Sequence, residues 1–149
     1  MSHRKDPLDQ LIDSTYEFGR IMRHQMLGEM HAGKPVNFLQ IHALFLISEE
    51  EGMTMKQLAN LLHVSSPSAT SLVNRLVKMQ WVGRMHDESN RKLVRLWLTQ
   101  PGKKILKEKH DRRREVLRSI FGKLTSKEQL QLSHLHQKLS RTLSFSHRG

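Results

Sequence analysis

Between residues 56 and 102 the hydrophobic period of the chain changes twice. Lys56-Gln57-Leu58-Ala59-Asn60-Leu61-Leu62 reads as a short helix with Leu58, Leu61 and Leu62 turned inward, stopping at His63-Val64. Ser65-Ser66-Pro67 marks a new helix start, since Ser caps a first turn and Pro is tolerated inside one. Ala69, Leu72, Val73 and Leu76 then recur at i, i+3, i+4 and i+7, the buried stripe of a helix that reaches about Met79. From Val82 the period shortens. Val94, Leu96 and Leu98 alternate with Arg95 and Trp97, a half-buried strand, and the polar run Asp87-Glu88-Ser89-Asn90-Arg91-Lys92 lies between the two strand-like segments. Two helices joined by a tight turn and followed by a basic hairpin predict a winged helix-turn-helix. That architecture lays its second helix in a DNA major groove with the hairpin beside it.

The flanks read as helices. Leu8, Leu11, Ile12, Phe18, Met22, Met26 and Met30 mark one long amphipathic helix over 7–30, broken by Gly33-Lys34-Pro35. Asn37 is positioned to cap a helix over 38–48 that is apolar on nearly every side and is therefore expected deep in the fold. Glu49-Glu50-Glu51-Gly52 ends it, and Thr54 begins the short helix described above. Thr99 and Pro101 open a charged helix to about Phe121, and Thr125-Ser126-Lys127-Glu128 has the spacing of a capping box before a last helix striped with Leu132, Leu135, Leu139 and Leu143. The expected fold class is mainly α with a small β-hairpin wing. The expected parts are an N-terminal dimerisation helix (1–34), a winged helix-turn-helix (35–100) and C-terminal dimerisation helices (101–149). Three long apolar stripes outside one small core are most simply buried against a second copy, so a homodimer is expected, with packing inside one monomer as the alternative.

Charge adds a partner. The 149 residues carry 25 Lys and Arg against 14 Asp and Glu, a net charge of +11, which favours a polyanion, most often nucleic acid. Residues 52–104 hold nine basic and two acidic side chains, 105–149 eleven and four, and 1–33 four and five. The surplus thus lies on the reading segment and the C-terminal region. For the latter, a solvated surface is an equal reading. Absence of cysteine excludes disulfides, Cys-based zinc sites and thiol redox sensing. No run of about 18 apolar residues is present, and the polar start Ser2-His3-Arg4-Lys5-Asp6 lacks a signal core, so no membrane span and a cytoplasmic location are expected.

The order of these elements resembles the MarR family of bacterial transcriptional regulators. Val36-Asn37-Phe38-Leu39-Gln40 is similar to that family's Leu-Thr-x-x-Gln at the start of its second helix. Gln57-Leu58-Ala59 is similar to its Glu/Gln-Leu-Ala, and Leu72-Val73-Asn74-Arg75-Leu76 to its Leu-Val-Asp-Arg-Leu. Asp87-x-x-x-Arg91-Lys92 followed by Leu98-Thr99-x-x-Gly102-Lys103 resembles the wing and its exit. The chain departs from the pattern at Gln80, where the family usually has a Gly for a left-handed turn, and at the bulky Trp81 and Trp97. The resemblance implies that Arg91 reaches a minor groove, that Asp87 holds the hairpin, and that a small-molecule effector occupies a cavity between the dimerisation helices and the winged domain.

The face of the reading helix opposite its buried stripe carries Pro67, Ser71, Asn74 and Lys78, flanked by Ser68, Thr70 and Arg75. Small polar side chains there allow close approach to base edges. Ser65 and Ser66 suit a phosphate oxygen, and Ser65 also suits a plain cap. Asn74 either reads adenine or is a solvated surface residue. Arg75 either touches DNA or pairs with a carboxylate to hold the wing. In the wing, Arg91 fits a narrow minor groove, where negative potential is concentrated. Asp87 and Arg91 pairing only with each other is the alternative. Arg84, Lys92 and Arg95 are candidates for phosphates.

Ten His raise a metal question. His24, His31, His42 and His110 fall near the expected junction of the parts, but none has an i, i+4 partner, and His134 and His136, two apart on a helix, point away from each other. No metal or cofactor is expected. The eight Met are read as gap-fillers. No nucleophile elbow, phosphate-cradling loop or framed carboxylate pair is present, so no enzyme is expected. The sequence reading is a dimeric regulator, a repressor by resemblance, that binds a pseudo-palindromic duplex and is released by an effector. The rival is a sequence-tolerant architectural DNA-binding protein without effector, and the small polar reading face favours the former.

Overall fold

The computed structural model describes residues 6–30 and 36–145. His31, the expected Gly33-Lys34-Pro35 break and the polar stretch Ser2-His3-Arg4-Lys5 lie outside them. The chain forms two compact units, Met1–Arg113 and Arg114–Gly149. Helix α1 spans Pro7–Met30 and α2 spans Phe38–Glu49. Strand β1 (Met53–Thr54), α3 (Met55–Leu62), α4 (Ser66–Lys78), β2 (Val82–His86) and β3 (Val94–Leu98) follow, then α5 (Gln100–Phe121) and α6 (Ser126–Phe145).

The helix starts follow from their caps. Asn37 accepts the Gln40 N–H at 2.8 Å while the Gln40 side chain accepts the Asn37 N–H at 3.0 Å, a reciprocal box that stabilises the first turn of α2. Thr54 and Gln57 repeat the device at α3. Thr125 and Glu128 do so at α6, and the bonds donated by the Thr125 N–H and hydroxyl hold the Glu128 carboxyl below its ordinary value. In that second unit Gln129 Nε2 also donates to the Phe121 and Leu124 carbonyls, fixing the turn between the end of α5 and α6.

The core of the first unit brings together Leu44, Ile47, Leu58, Val73, Leu76 and Leu96, each essentially without solvent exposure. Burying a Leu, Ile or Val side chain contributes about 1.5–3 kcal/mol relative to exposure, so these positions carry much of the domain's stability. Ala69, Leu72, Val73 and Leu76 are all buried, as their spacing predicts. Two expectations are corrected. Leu61 is 48% exposed, because the buried face of α3 is that of Leu58, Ala59 and Leu62, and Leu61 lies about 100° around the helix from Leu62. And α2 is not deep on all sides: Gln40, Ile41, Ala43, Leu44 and Ile47 are buried, whereas Phe38 and Phe45 are exposed. An all-round apolar helix needs neighbours on every side, and a single chain supplies them on one.

The sheet has three strands, in the order β1-β3-β2, all antiparallel. The short β1 was not legible from the sequence. It pairs Met53 with Leu96 and Thr54 with Arg95. Arg95 therefore sits at the centre of the sheet's base. Its Nη1 donates to the Gly52 carbonyl at 3.0 Å, and its Nε donates to the Asp87 carboxylate. Asp87 also accepts from the Ser89 hydroxyl and from the Ser89 and Asn90 N–H groups, which closes the hairpin turn. Hydrogen bonds from Ser89 and then Arg95 hold the Asp87 carboxyl far below its ordinary value of 3.8.

Two glycines record close approaches. A Cβ on Gly83 would lie 2.3 Å from the Trp97 ring, the residue opposite it in the ladder. A Cβ on Gly102 would lie 2.0 Å from the Trp81 carbonyl oxygen. Trp97 is a half-buried side chain that can tilt, whereas the Trp81 carbonyl is backbone already bonded to the Thr99 N–H at 3.1 Å. Gly102→Ala is therefore expected to destabilise the domain by about 3 kcal/mol and Gly83→Ala by about 1 kcal/mol, since overpacking costs most where nothing can move. Urea unfolding of the two variants beside the wild type checks the order. For Asp87 the folded-state pKa is depressed, so its contribution is complete above its unfolded value and is lost as pH falls through the folded one. Asp87→Asn is expected to lower stability at about pH 7, with the gap to the wild type narrowing at about pH 3. Equal gaps at the two pH values, measured by the same unfolding, would contradict the assignment.

Candidate nucleic-acid interface

The turn before α4 is set by His63, whose left-handed backbone (φ 53°) ends α3 with N–H groups donated back to the Ala59 and Asn60 carbonyls. Ser65 then caps α4, accepting the Ser68 N–H at 3.3 Å and donating its hydroxyl to Ser68 Oγ at 2.8 Å. The hydroxyl of Thr70 donates to the Ser66 carbonyl at 2.9 Å. Ser66, Pro67, Thr70, Ser71, Asn74, Arg75 and Lys78 line one open depression along the exposed face of α4, and Ser68 is exposed beside it. Opposite lies the buried stripe. One rigid helix thus presents small polar groups outward over two to three turns, with cations toward its C-terminal end.

The wing supplies a second set. Arg84 extends from β2 to donate from Nη1 to Asn74 Oδ1, joining wing to helix. His86 Nδ1 donates to the Arg91 carbonyl at 2.8 Å, which fixes the backbone of the hairpin tip. Arg91 and Lys92 are exposed there, and no acid pairs with the Arg91 guanidinium among the described residues. The alternative in which Asp87 and Arg91 pair only with each other does not hold: the carboxylate is held by Arg95. Nor does a carboxylate pair with Arg75 among the described residues. Arg95, read from the sequence as a phosphate candidate, is committed to Asp87 and Gly52. The signal for this was the register that β1 creates, which needs long-range pairing to see.

Beyond this face, Phe45, Ser48, Trp97, Leu98, Lys103, Leu106, Lys107 and His110 line a cavity of about 450 Å³ between α2, β3 and the first half of α5. Lys107 pairs there with Asp111 at 2.7 Å, which raises its pKa. Among the described residues no three His, Asp or Glu are grouped as a metal would need, and no helix is long and apolar enough to cross a membrane.

Comparison with known proteins converges on the same segment. Residues 36–94, from the cap of α2 through the wing to β3, match the model of the MarR family. Over 98 residues, 66% of this chain, the sequence is 26% identical to YpoP, an uncharacterized HTH-type transcriptional regulator of Bacillus subtilis, and covers 70% of it. Over 98 residues it is 29% identical to YsmB, an uncharacterized HTH-type transcriptional regulator of the same organism, spanning 66% of this chain and 65% of that protein. The fold matches that of a MarR family protein from Bacillus stearothermophilus with a TM-score of 0.82 at 20% identity, over 96% of this chain and 99% of that one. The helix-turn-helix, its hairpin and the flanking helices together agree with these matches, and over residues 36–94 the chain is similar to the MarR family.

Proposed function

We propose that this protein is a transcriptional regulator, acting as a repressor, that binds a pseudo-palindromic duplex as a homodimer and is released by a small-molecule effector. One observation carries the reading. The exposed face of α4 is small and polar, its opposite face is locked into the core, and a hairpin whose Arg91 pairs with no acid among the described residues stands beside it. A helix so held can enter a major groove and bring Ser68, Ser71 and Asn74 to base edges, with Ser65, Ser66, Pro67 and Thr70 at its approach to the backbone. Arg75, Lys78, Arg84 and Lys92 face phosphates, and Arg91 enters the adjoining minor groove. Asp87 and Arg95 act through the hairpin they hold. The likeness to regulators named for a helix-turn-helix supports the same reading.

Dimerisation is supported by what the single chain leaves uncovered. Leu8, Leu11, Ile12, Tyr16 and Ile21 on α1 are exposed, as are Leu130, Leu135, Leu139 and Leu143 on α6, the last at 63%. Exposed apolar rows of this length mark association surfaces. The cavity under Phe45 and Trp97 has the size of a small-ligand pocket, and it is lined by α5, whose cap Thr99 is bonded to the Gln80-Trp81 turn that follows α4. An effector there shifts the spacing of two reading helices, and affinity falls because both no longer fit successive grooves.

Two outcomes check this. Light scattering is expected to give twice the 17.4 kDa chain mass at micromolar concentration; a stable monomer contradicts the two-half-site arrangement. Arg91→Ala is expected to weaken binding most at A·T-rich flanks, whereas Lys78→Ala weakens all duplexes alike and lowers the salt slope by about one unit. Fluorescence anisotropy over a salt series measures both, and an unchanged affinity in Arg91→Ala at low salt removes the wing from the interface.

A further inference from the structure

The bond between Asn74 and Arg84 has a consequence for which bases can be read. A guanidinium carries only donors, so the Asn74 atom that meets Arg84 Nη1 has to be the carbonyl oxygen Oδ1. The partner therefore fixes the amide's orientation, which density or spacing alone leaves open for an Asn side chain. With Oδ1 turned to the wing, the amide group Nδ2 is left outward, and it meets no acceptor among the described residues. Asn74 is exposed, one helical turn beyond Ser71 on the face proposed to enter the major groove.

The usual Asn contact with adenine is bidentate. The amide oxygen accepts from adenine N6 while the amide nitrogen donates to N7. Here Arg84 occupies one lone pair of Oδ1 and holds that oxygen toward the wing, so Nδ2 rather than Oδ1 leads into the groove. Donors alone suit guanine, whose N7 and O6 are adjacent acceptors. Thymine offers one acceptor beside a methyl group, and cytosine presents a donor of its own. Adenine sets its N6 donors beside the Asn74 donors. We propose that Asn74 reads its base pair as a hydrogen-bond donor only, so that it selects guanine over adenine, and that Arg84 is the positioning residue that imposes this choice. The inference rests on the proposed placement of α4 in a major groove and adds the chemistry of one base pair per half-site to it.

The test is a binding selection on random duplexes with the wild type, Asn74→Ala and Arg84→Met. Both positions are exposed, so the variants retain the core. Arg84→Met keeps an unbranched apolar stem, shorter than that of Arg, and removes its donors. The wild type is expected to enrich guanine over adenine by about tenfold at one position of each half-site, the scale of a good base contact. Asn74→Ala is expected to flatten that position alone. Arg84→Met frees Oδ1 and is expected to turn the preference there toward adenine, whatever it does to overall affinity. The preference is a ratio within one variant, so a lost phosphate contact does not move it. Adenine in the wild-type motif at the Asn74-dependent position overturns the inference. So does a guanine preference that survives Arg84→Met, or a motif that Asn74→Ala leaves intact, and both leave the regulator standing. Enrichment of no motif by the wild type overturns the sequence reader itself and this inference with it.

Discussion

The backbone reversal at Gln80-Trp81 is the constraint on which the other parts converge. Gln80 takes a left-handed conformation (φ 62°), and the chain turns out of α4 with the Gln80 and Trp81 N–H groups donated to the Val77 and Leu76 carbonyls. The Trp81 side chain is buried, and its carbonyl accepts the Thr99 N–H. The Thr99 hydroxyl donates to the Gln80 carbonyl and accepts the Gly102 N–H, and the bare Cα of Gly102 lets the two backbones touch. The end of α4, the residue before β2 and the first turn of α5 are thus one joint. A left-handed Gln costs more than a Gly there, and the buried Trp beside it and the Thr99 bonds offset that cost.

Much of this was legible in sequence because it is local. Cap residues announced α2, α3, α4, α5 and α6, and the i, i+3, i+4, i+7 stripe of α4 is buried as read. The departure at Gln80 was visible as a residue in place of a glycine, and the structure gives it the left-handed backbone that a glycine would serve. What the sequence hid is set by partners far along the chain. Strand β1 is two residues long and has no period to detect. Arg95 looked like one more wing cation, and only its place opposite Thr54, within reach of Gly52 and Asp87, makes it a strut. The apolar surplus of α2 promised burial, but Phe38, Leu39 and Phe45 stay exposed in one chain, since periodicity registers a hydrophobic face without saying what covers it. For the proposed interface the residue types of α4 were readable, while the tie between Asn74 and Arg84 required the wing to be folded beside the helix.

The division of labour follows. On the proposed reading, small residues on α4 let a groove come close, Arg91 favours a narrow minor groove, and Lys78 and Lys92 add sequence-independent attraction that falls with salt. In the same reading the net charge of +11 serves encounter with a polyanion, whereas major-groove selectivity falls to a few uncharged groups held by the core behind them. The apolar rows on α1 and α6 are distinct in composition from this face, which suits the association proposed for them.

The most direct measurement is hydroxyl-radical footprinting of the protein on a duplex recovered by selection. The account predicts protection in two equivalent patches about 10 bp apart on one side of the helix, with protected minor groove beside each, because a two-fold protein presents both reading helices to the same face. A single patch, or uniform protection along the duplex with no repeat, would contradict it.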